Sequence, residues 1–406
     1  MAIGLRHLRV FLAVVDLGSV SQAAATLYRA QSAVSRSVHE LEKEFGVPLF
    51  ERRARGMLPT RFGNALQHRA RRVAAEFDAA GRDSERLSGS KTRGGQAPTL
   101  AMQLSDRRLR AFVELADVHH MPTVAEKLGV SQPAISLAIR ELEIALGLEL
   151  FARTPKGMLP TAQGGALASR VKRAMAEVRH ARADIARLCG RIEGTITVGA
   201  LPLGRTVLLP RAIAQLLPAY PGLHVATVEG PFDTLAAALR SGDVDFILGA
   251  LRHPGLSTDL VGEALLADEL AIVARADHPL CARRGVTWRE LARAQWVLPR
   301  KGAPTRDLFE SELARRDIAS AEVPVETSDL AVLRGVLLES DLITAISPRQ
   351  LHYELRQGMV ARLPLALPET SREIGITRRK GDQPSPGAAL LMAQLRELAR
   401  ELDLGG

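Results

Sequence analysis

The chain has 406 residues, enough for two or three domains with their own cores. Aromatic residues make up only 4% of it, which excludes stacking platforms for single-stranded nucleic acid, and two cysteines, Cys189 and Cys281, exclude a disulfide framework or a cysteine metal site. The formal charge of +9 is uneven: residues 1–190 carry 29 Lys/Arg against 18 Asp/Glu and the remainder 25 against 27, so a basic nucleic-acid-binding part joins a part that binds something else.

The first twenty residues contain a short apolar run broken by Asp16. They read as an amphipathic helix rather than a signal peptide, and no stretch has the apolar length of a membrane span, so a cytoplasmic protein is expected. Leu8, Phe11, Leu12 and Val15 form one helical face. Ser19 can cap a second helix with Ala23, Ala24 and Leu27 inward. After the tight connection Tyr28–Ala30, a third helix buries Val34, Val38, Leu41 and Phe45 and stops at Gly46. Two helices joined by a tight turn, the second opening with small polar residues, make a helix-turn-helix. The second helix of such a pair enters the DNA major groove by its N-terminal end, which makes Gln31, Ser32, Ser35 and Arg36 candidate base readers. The strand PLFER, a basic tip with Arg52, Arg53 and Arg55, and GMLP then read as a winged hairpin whose cations would meet phosphate or a minor groove.

Everything from Arg6 to Leu66 recurs without a gap at Arg107–Leu167, with 25 of 61 positions identical. The best-kept segment is GMLPT, at Gly56–Thr60 and Gly157–Thr161. A whole DNA-binding unit has been duplicated. In the second copy Ile135, Ile139, Leu142 and Leu146 are inward, Pro133 occupies the first turn, and Gln132, Pro133 and Ser136 face outward with Leu137. Arg153 and Lys156 stand on its wing. In each copy the glycine of GMLPT should turn the hairpin, and the threonine should cap the next helix.

The helix after the second copy places Leu167, Val171, Ala174, Val178, Ala181, Ile185 and Leu188 at unbroken four-three spacing, the signature of a coiled-coil seam. Leu167, Val171, Val178, Ile185 and Leu188 are expected to hold a second copy of the chain. The first copy has the same register from Leu66 to Leu87, weakened by Gly81 and Ser84. SGSKTRGGQAPT, residues 88–99, reads as a flexible linker leaving the first winged domain tethered rather than fixed. From Thr195 short apolar strands alternate with helices, implying an open, largely parallel sheet with helices on both faces.

The string GSVSQAAATLYRAQSAVSRSVHELEKEFGVPLFERRARGMLPTRFGNAL and its second version from Leu128 resemble the DNA-binding domain of LysR-type transcriptional regulators. Residues 193–403, with EGTITVGALPLGRTVLLP and ADELAIVARADHPL, resemble that family's effector domain. The resemblance implies two tandem, helix-rich winged helix-turn-helix domains plus an α/β effector domain of the type 2 periplasmic-binding-protein fold. The divisions are 1–65 and 104–166 for the winged domains, 66–100 for a helix and linker, 167–190 for a coiled-coil helix, and 193–406 for the effector domain. Lobe I takes 193–270 and 375–403 and lobe II 271–374, with crossover strands near Ala271–Arg275 and Ile374–Arg378 as hinge. One winged domain is the family's norm, so the pair is a departure. Copy one keeps the family's Gly-Ser lead-in and Ser35–Arg36. Copy two has His119–His120 and Leu137 instead. Both copies are expected to bind DNA, copy one as the stronger base reader; the rival is that one has decayed into a packing role.

Ligands in such sheets bind at the carboxyl ends of strands. This selects Leu203, Gly204, Thr206, Pro231 and Arg252 in lobe I, and Arg300, Lys301, Thr305 and Ser347 in lobe II. The loops after the first strand and at Pro299–Thr305 are expected to open helices whose amides favour an anion. Adjacent histidines on a helix point apart, so no metal and no cofactor are expected. No P-loop, GxSxG, HExxH or dinucleotide fingerprint is present, and no catalytic residue is assigned. The reading is a sequence-specific regulator binding double-stranded DNA, itself, and a small organic acid, aromatic acid or sugar derivative, with RNA polymerase as a candidate partner. An architectural DNA-bridging protein and a solute-binding protein are the alternatives.

Overall fold

The computed structural model describes residues 4–53, 56–88, 106–252, 258–283, 285–318 and 321–404. Arg55 and, beyond Ser88, the 88–99 linker lie outside the described residues.

The first winged unit comprises α1 (Leu5–Leu17), α2 (Val20–Thr26), α3 (Gln31–Phe45), and the hairpin β1 (Phe50–Arg53) and β2 (Gly56–Pro59). The second repeats it as α5 (Asp106–Val118), α6 (Met121–Leu128), α7 (Gln132–Leu146), β3 (Phe151–Thr154) and β4 (Gly157–Pro160). The long helices α4 (Arg61–Ser88) and α8 (Ala162–Leu188) follow their respective wings. The strings kept between copies are the frame of this unit. Glu42 accepts the backbone N–H groups of Leu49 and Phe50 at 2.9 and 3.3 Å, and Glu143 does the same for Leu150 and Phe151. Thr60 and Thr161 accept from the amides of Gly63 and Gly164, capping α4 and α8. Gly56 and Gly157 have φ of 119° and 111°, and a Cβ on either would lie 2.4 or 2.3 Å from the carbonyl oxygen of Gly18 or His119. That approach lets the amides of Met57 and Met158 bond those same carbonyls at 2.8 and 2.9 Å.

Helices α4 and α8 run antiparallel against each other and make the largest contact between any two elements. Leu66, Ala70, Val73 and Phe77 of α4 share one buried core with Leu167, Val171, Ala174, Ala181 and Ile185 of α8, and that core includes the interiors of both winged domains. The seam expected to hold a second copy is therefore filled by the same chain. The apolar stripe specified that α8 needs a helical partner, and the duplicated stripe is nearer than any second copy. The first winged domain is likewise fixed, not tethered.

Ion pairs along this seam come in matched sets. Arg69 donates from Nε to Asp184 at 2.7 Å and from Nη1 to Glu177 at 2.9 Å, while Arg170 donates from Nε to Asp83 at 2.8 Å and from Nη1 to Glu76 at 3.1 Å. Arg72 reaches Glu177 at 2.7 Å and Arg173 reaches Glu76 at 2.9 Å. Each bond becomes its counterpart when both residues are exchanged for their repeats, which defines a pseudo-two-fold axis. The N-terminal ends of α1 and α5 also meet, where Asp106 accepts the amide of Leu5 at 3.1 Å.

The C-terminal domain has two lobes. Lobe I holds a five-stranded sheet in the order β6 (Gly222–Glu229), β5 (Glu193–Ala200), β7 (Phe246–Ala250), β14 (Arg372–Arg379) and β8 (Leu260–Asp268). It packs on α9 (Pro202–Arg205), α10 (Leu208–Ala219), α11 (Phe232–Ser241) and the closing helix α16 (Pro386–Leu404). Lobe II pairs β9 (Ala271–Arg275) with β12 (Thr344–Ile346) and β13 (Val360–Arg362), beside the parallel pair β10 (Gln295–Leu298) and β11 (Glu322–Glu326). Its helices are α12 (Trp288–Leu291), α13 (Pro304–Ala314), α14 (Leu330–Glu339) and α15 (His352–Arg356). The sheets are mixed rather than largely parallel: β14 returns antiparallel to β7 and β8, and β9 is antiparallel to both its neighbours. The chain crosses between lobes just before β9 and just before β14, so those strands belong whole to one lobe each and the crossing lies in the segments ahead of them.

Candidate DNA interface and effector cleft

On α3, Val34, Ser37, Val38 and Leu41 are buried, which leaves Gln31, Ser32, Ser35 and Arg36 exposed on the opposite side. None of the four side chains has a hydrogen bond or ion pair among the described residues. On α7, Ile135, Ile139 and Leu142 are buried, Gln132 and Pro133 are exposed and Ser136 is half-buried. Leu137, at the position of Arg36, is 55% exposed. Arg53 lies in β1, and Lys156 is exposed between β3 and β4 beside exposed Arg153. The shared core and the matched ion pairs place α3 and α7, with their hairpins, at equivalent positions about the pseudo-two-fold axis. The remaining histidines of copy two are structural: His120 bonds Thr123 at 2.8 Å and His119 supplies the carbonyl that receives the wing.

The effector candidates separate into two groups. Thr305 and Ser347 join one buried network that sequence reasoning did not find, centred on Asp268 and Arg372. Arg372 donates to Asp268 at 3.2 Å and to the Thr305 hydroxyl at 3.1 Å, and Ser347 donates to Asp268 at 2.5 Å. The Ser347 hydroxyl also accepts the Arg349 amide, so it is committed within the protein rather than presented to a ligand. Burial pushes the Arg372 guanidinium below its ordinary range although Asp268 opposes this. Only the position of Asp268 at the last residue of a strand could have signalled the network.

Beside it, Leu203, Leu208, Leu266 and Ile374 of lobe I face Arg349 and His352 of lobe II around a cavity of about 30 Å³. Burial and then Arg211, which approaches at 3.4 Å, lower the pKa of His352. Thr206 has a buried hydroxyl without a partner among the described residues. Gly204 is buried against Leu248, where a Cβ would come to 2.8 Å. The remaining candidates stand apart: Pro231 is exposed, Arg252 lies over the Phe232 ring at 4.9 Å, and Arg300 and Lys301 are exposed on lobe II. The expected amide cradle after β5 is not built. Helix α9 is one turn with proline at its start, and the longer α10 begins only at Leu208. Helix α13 also opens with proline, at Pro304.

The effector domain rests directly on the linker helices. Arg69 donates to the carbonyls of Gln383 and Pro384 at 2.8 and 3.2 Å, and Arg72 to that of Gly381 at 3.2 Å. Lys172 bridges Asp117 of the second winged unit and Asp243 of lobe I, at 2.7 Å to each. No single described helix is long and apolar enough to cross a membrane.

Residues 5–64 and 107–165 match the family described as "Bacterial regulatory helix-turn-helix protein, lysR family", and residues 190–400 match "LysR substrate binding domain". The regulator GalR of Pseudomonas putida is 45% identical over 397 residues, covering 98% of each chain. PcaQ of Agrobacterium fabrum is 31% identical over 296 residues, covering 73% of this chain and 95% of its own. Full-length OxyR from Pseudomonas aeruginosa has the same fold at a TM-score of 0.53 and 22% identity, covering 71% of this chain and 96% of OxyR. CbnR in complex with its target DNA matches at 0.52 and 20% identity, over 72% of this chain and 99% of CbnR. The chain is a DNA-binding transcriptional regulator, not an enzyme, and belongs to the LysR family.

Proposed function

We propose that a single chain holds double-stranded DNA with both winged domains at once, and that a small anionic molecule bound between the lobes of the effector domain alters that grip. The observation that carries this reading is the antiparallel pairing of α4 and α8 with its matched ion pairs, which presents α3 and α7 symmetrically without a second copy. Two-fold related recognition helices suit half-sites about one helical turn apart, or a multiple of it. Arg349, facing the apolar wall of Leu203 and Leu266 between the lobes, favours a small organic acid, and the gap of about 30 Å³ must widen to admit one. Arg252, Arg300 and Lys301 stand outside this gap, and a role for them requires the lobes to rearrange around the ligand. The regulator works in the cytoplasm. It associates further with itself through surfaces other than the α8 seam, and with RNA polymerase at its promoter.

Footprinting on the gene's upstream region tests both halves. Arg36→Ala should erase protection at one part of the footprint and Gln132→Ala at another, and a carboxylate effector should change the pattern. A footprint insensitive to one substitution would show one winged domain idle. Specific binding that no ligand alters would favour the architectural, DNA-bridging reading.

A further inference from the structure

The two reading faces are equivalent in position but opposite in chemistry. The face of α3 and its preceding turn presents Tyr28, Arg29, Ser32 and Arg36; the repeat presents Gly129, Val130, Pro133 and Leu137. Tyr28, Arg29, Ser32 and Arg36 are exposed, as are Gly129, Pro133 and Leu137, so packing does not demand these differences; of the eight only Val130 packs against the core. Tyr28 is 97% exposed and sits at φ 53°, a left-handed conformation that the repeat fills with glycine at φ 63°. At that exposure the tyrosine ring gains nothing from burial that would offset the strained conformation, which marks it as a candidate contact to a partner. On α7, Leu137 at 55% and Ile144 at 74% exposure make an outward apolar stripe at a spacing of two turns. Arg140 is exposed on the same helix and Arg153 and Lys156 are exposed on the hairpin of the same unit, so this unit suits a polyanion.

We infer that one chain reads an asymmetric operator: a half-site with guanine opposite Arg36, contacted at its flank by Tyr28 and Arg29, and a half-site with thymine opposite Leu137. The inference rests on the proposal that both winged domains hold DNA. Arginine pairs with guanine O6 and N7 in the major groove, whereas an apolar side chain in the same place touches the thymine methyl group. Identical half-sites, the natural target of a symmetric dimer, would waste one of these two contacts.

Selection of sites from random duplexes by the full-length protein tests this. Wild type should recover two unlike half-sites. Leu137→Arg should move the contacted base of the second half-site from thymine to guanine, and Arg36→Leu should move that of the first from guanine to thymine. On the wild-type site, Arg36→Leu should weaken binding about ten- to hundred-fold, and replacing the contacted thymine by uracil should weaken wild type roughly four-fold, the worth of one methyl group. Tyr28→Gly should weaken binding with no loss of thermal stability. Recovery of two identical half-sites that neither substitution changes would overturn the asymmetry and leave two-domain binding standing. Recovery of one half-site only, with Leu137→Arg changing the oligomeric state instead, would overturn it in favour of α7 as a protein-docking face. Recovery of no preferred sequence would overturn both the inference and the reading beneath it.

Discussion

His119 and Gly18 occupy equivalent corners between the first two helices of their units, and both adopt left-handed backbone, at φ 62° and 61°. Glycine reaches that conformation without cost, whereas a residue with a Cβ gives up roughly 1 kcal/mol. His119→Gly should therefore raise the stability of the protein by about that amount, read as an increase in Tm. Gly157→Ala should act in the opposite direction and more strongly. Its Cβ would lie 2.3 Å from the His119 carbonyl, and its φ of 111° is one that alanine rarely adopts. A loss of at least about 2 kcal/mol is expected from strain alone, and the bond between Met158 and His119 should weaken with it. An alanine variant as stable as wild type would show that the wing can move away from this corner. These corners also explain why GMLPT is the best-kept phrase of the repeat. Its glycine admits the wing to the corner and its threonine caps the long helix, two requirements of backbone geometry that tolerate little substitution.

Helices α4 and α8 show how far the sequence could be read and where reading stopped. Apolar spacing marked the buried face of α8 from Leu167 to Ile185, though not at Leu188, which lies outside the shared core, because periodicity reports which face must be buried. It could not report what covers that face, because a stripe of leucine, valine and alanine accepts any stripe of matching period. The partner was legible only in polar residues. Arg69, Glu76 and Asp83 recur as Arg170, Glu177 and Asp184, each set at seven-residue spacing just beyond Leu66 and Leu167, where the gap-free match ends. In the effector domain, strand-end loops were legible from alternation of strand and helix. The Asp268–Arg372 pair was not, since its partners are 104 residues apart. The linker pairing itself predicts an asymmetry between equivalent arginines. Arg69 and Glu177 side chains are each 4% exposed, beneath the effector domain, whereas Arg170 is 26% exposed. Burial opposes the Arg69 charge, but Asp184 and Glu177 more than offset it and hold the guanidinium firmly protonated. Arg69→Ala leaves those carboxylates buried without their partner and should cost about 3–5 kcal/mol. Arg170→Ala removes ion pairs to Glu76 and Asp83 that are about a quarter exposed and so partly screened, and should cost less, about 1 kcal/mol. Chemical unfolding of the two variants decides it, and equal losses would mean that the effector domain does not shield Arg69.

At the scale of the whole molecule, a single effector domain is seated on a nearly symmetric two-headed unit. Both winged domains and both linker helices share one core, so the two winged domains cannot move independently without opening apolar surface. The effector domain grips this unit at the β14–α16 turn through Arg69 and Arg72, and at the end of α11 through Arg173, which donates to the Arg240 carbonyl at 2.7 Å. A change in lobe I can thus reach both heads through residues that also hold the heads together. Such coupling needs no second chain, which leads to a stoichiometric prediction. On a duplex carrying both half-sites, with protein kept below the concentration at which it self-associates, the first specific complex should contain one chain per duplex, as read by mass photometry or sedimentation. Separating the half-sites by an extra half-turn of DNA should abolish simultaneous contact, because the α4–α8 pair fixes both the span and the relative facing of α3 and α7. Retention of full affinity on that altered duplex would mean that the heads are independently mobile. A first complex containing two chains would mean that each chain commits only one head to DNA, leaving the other for a different surface.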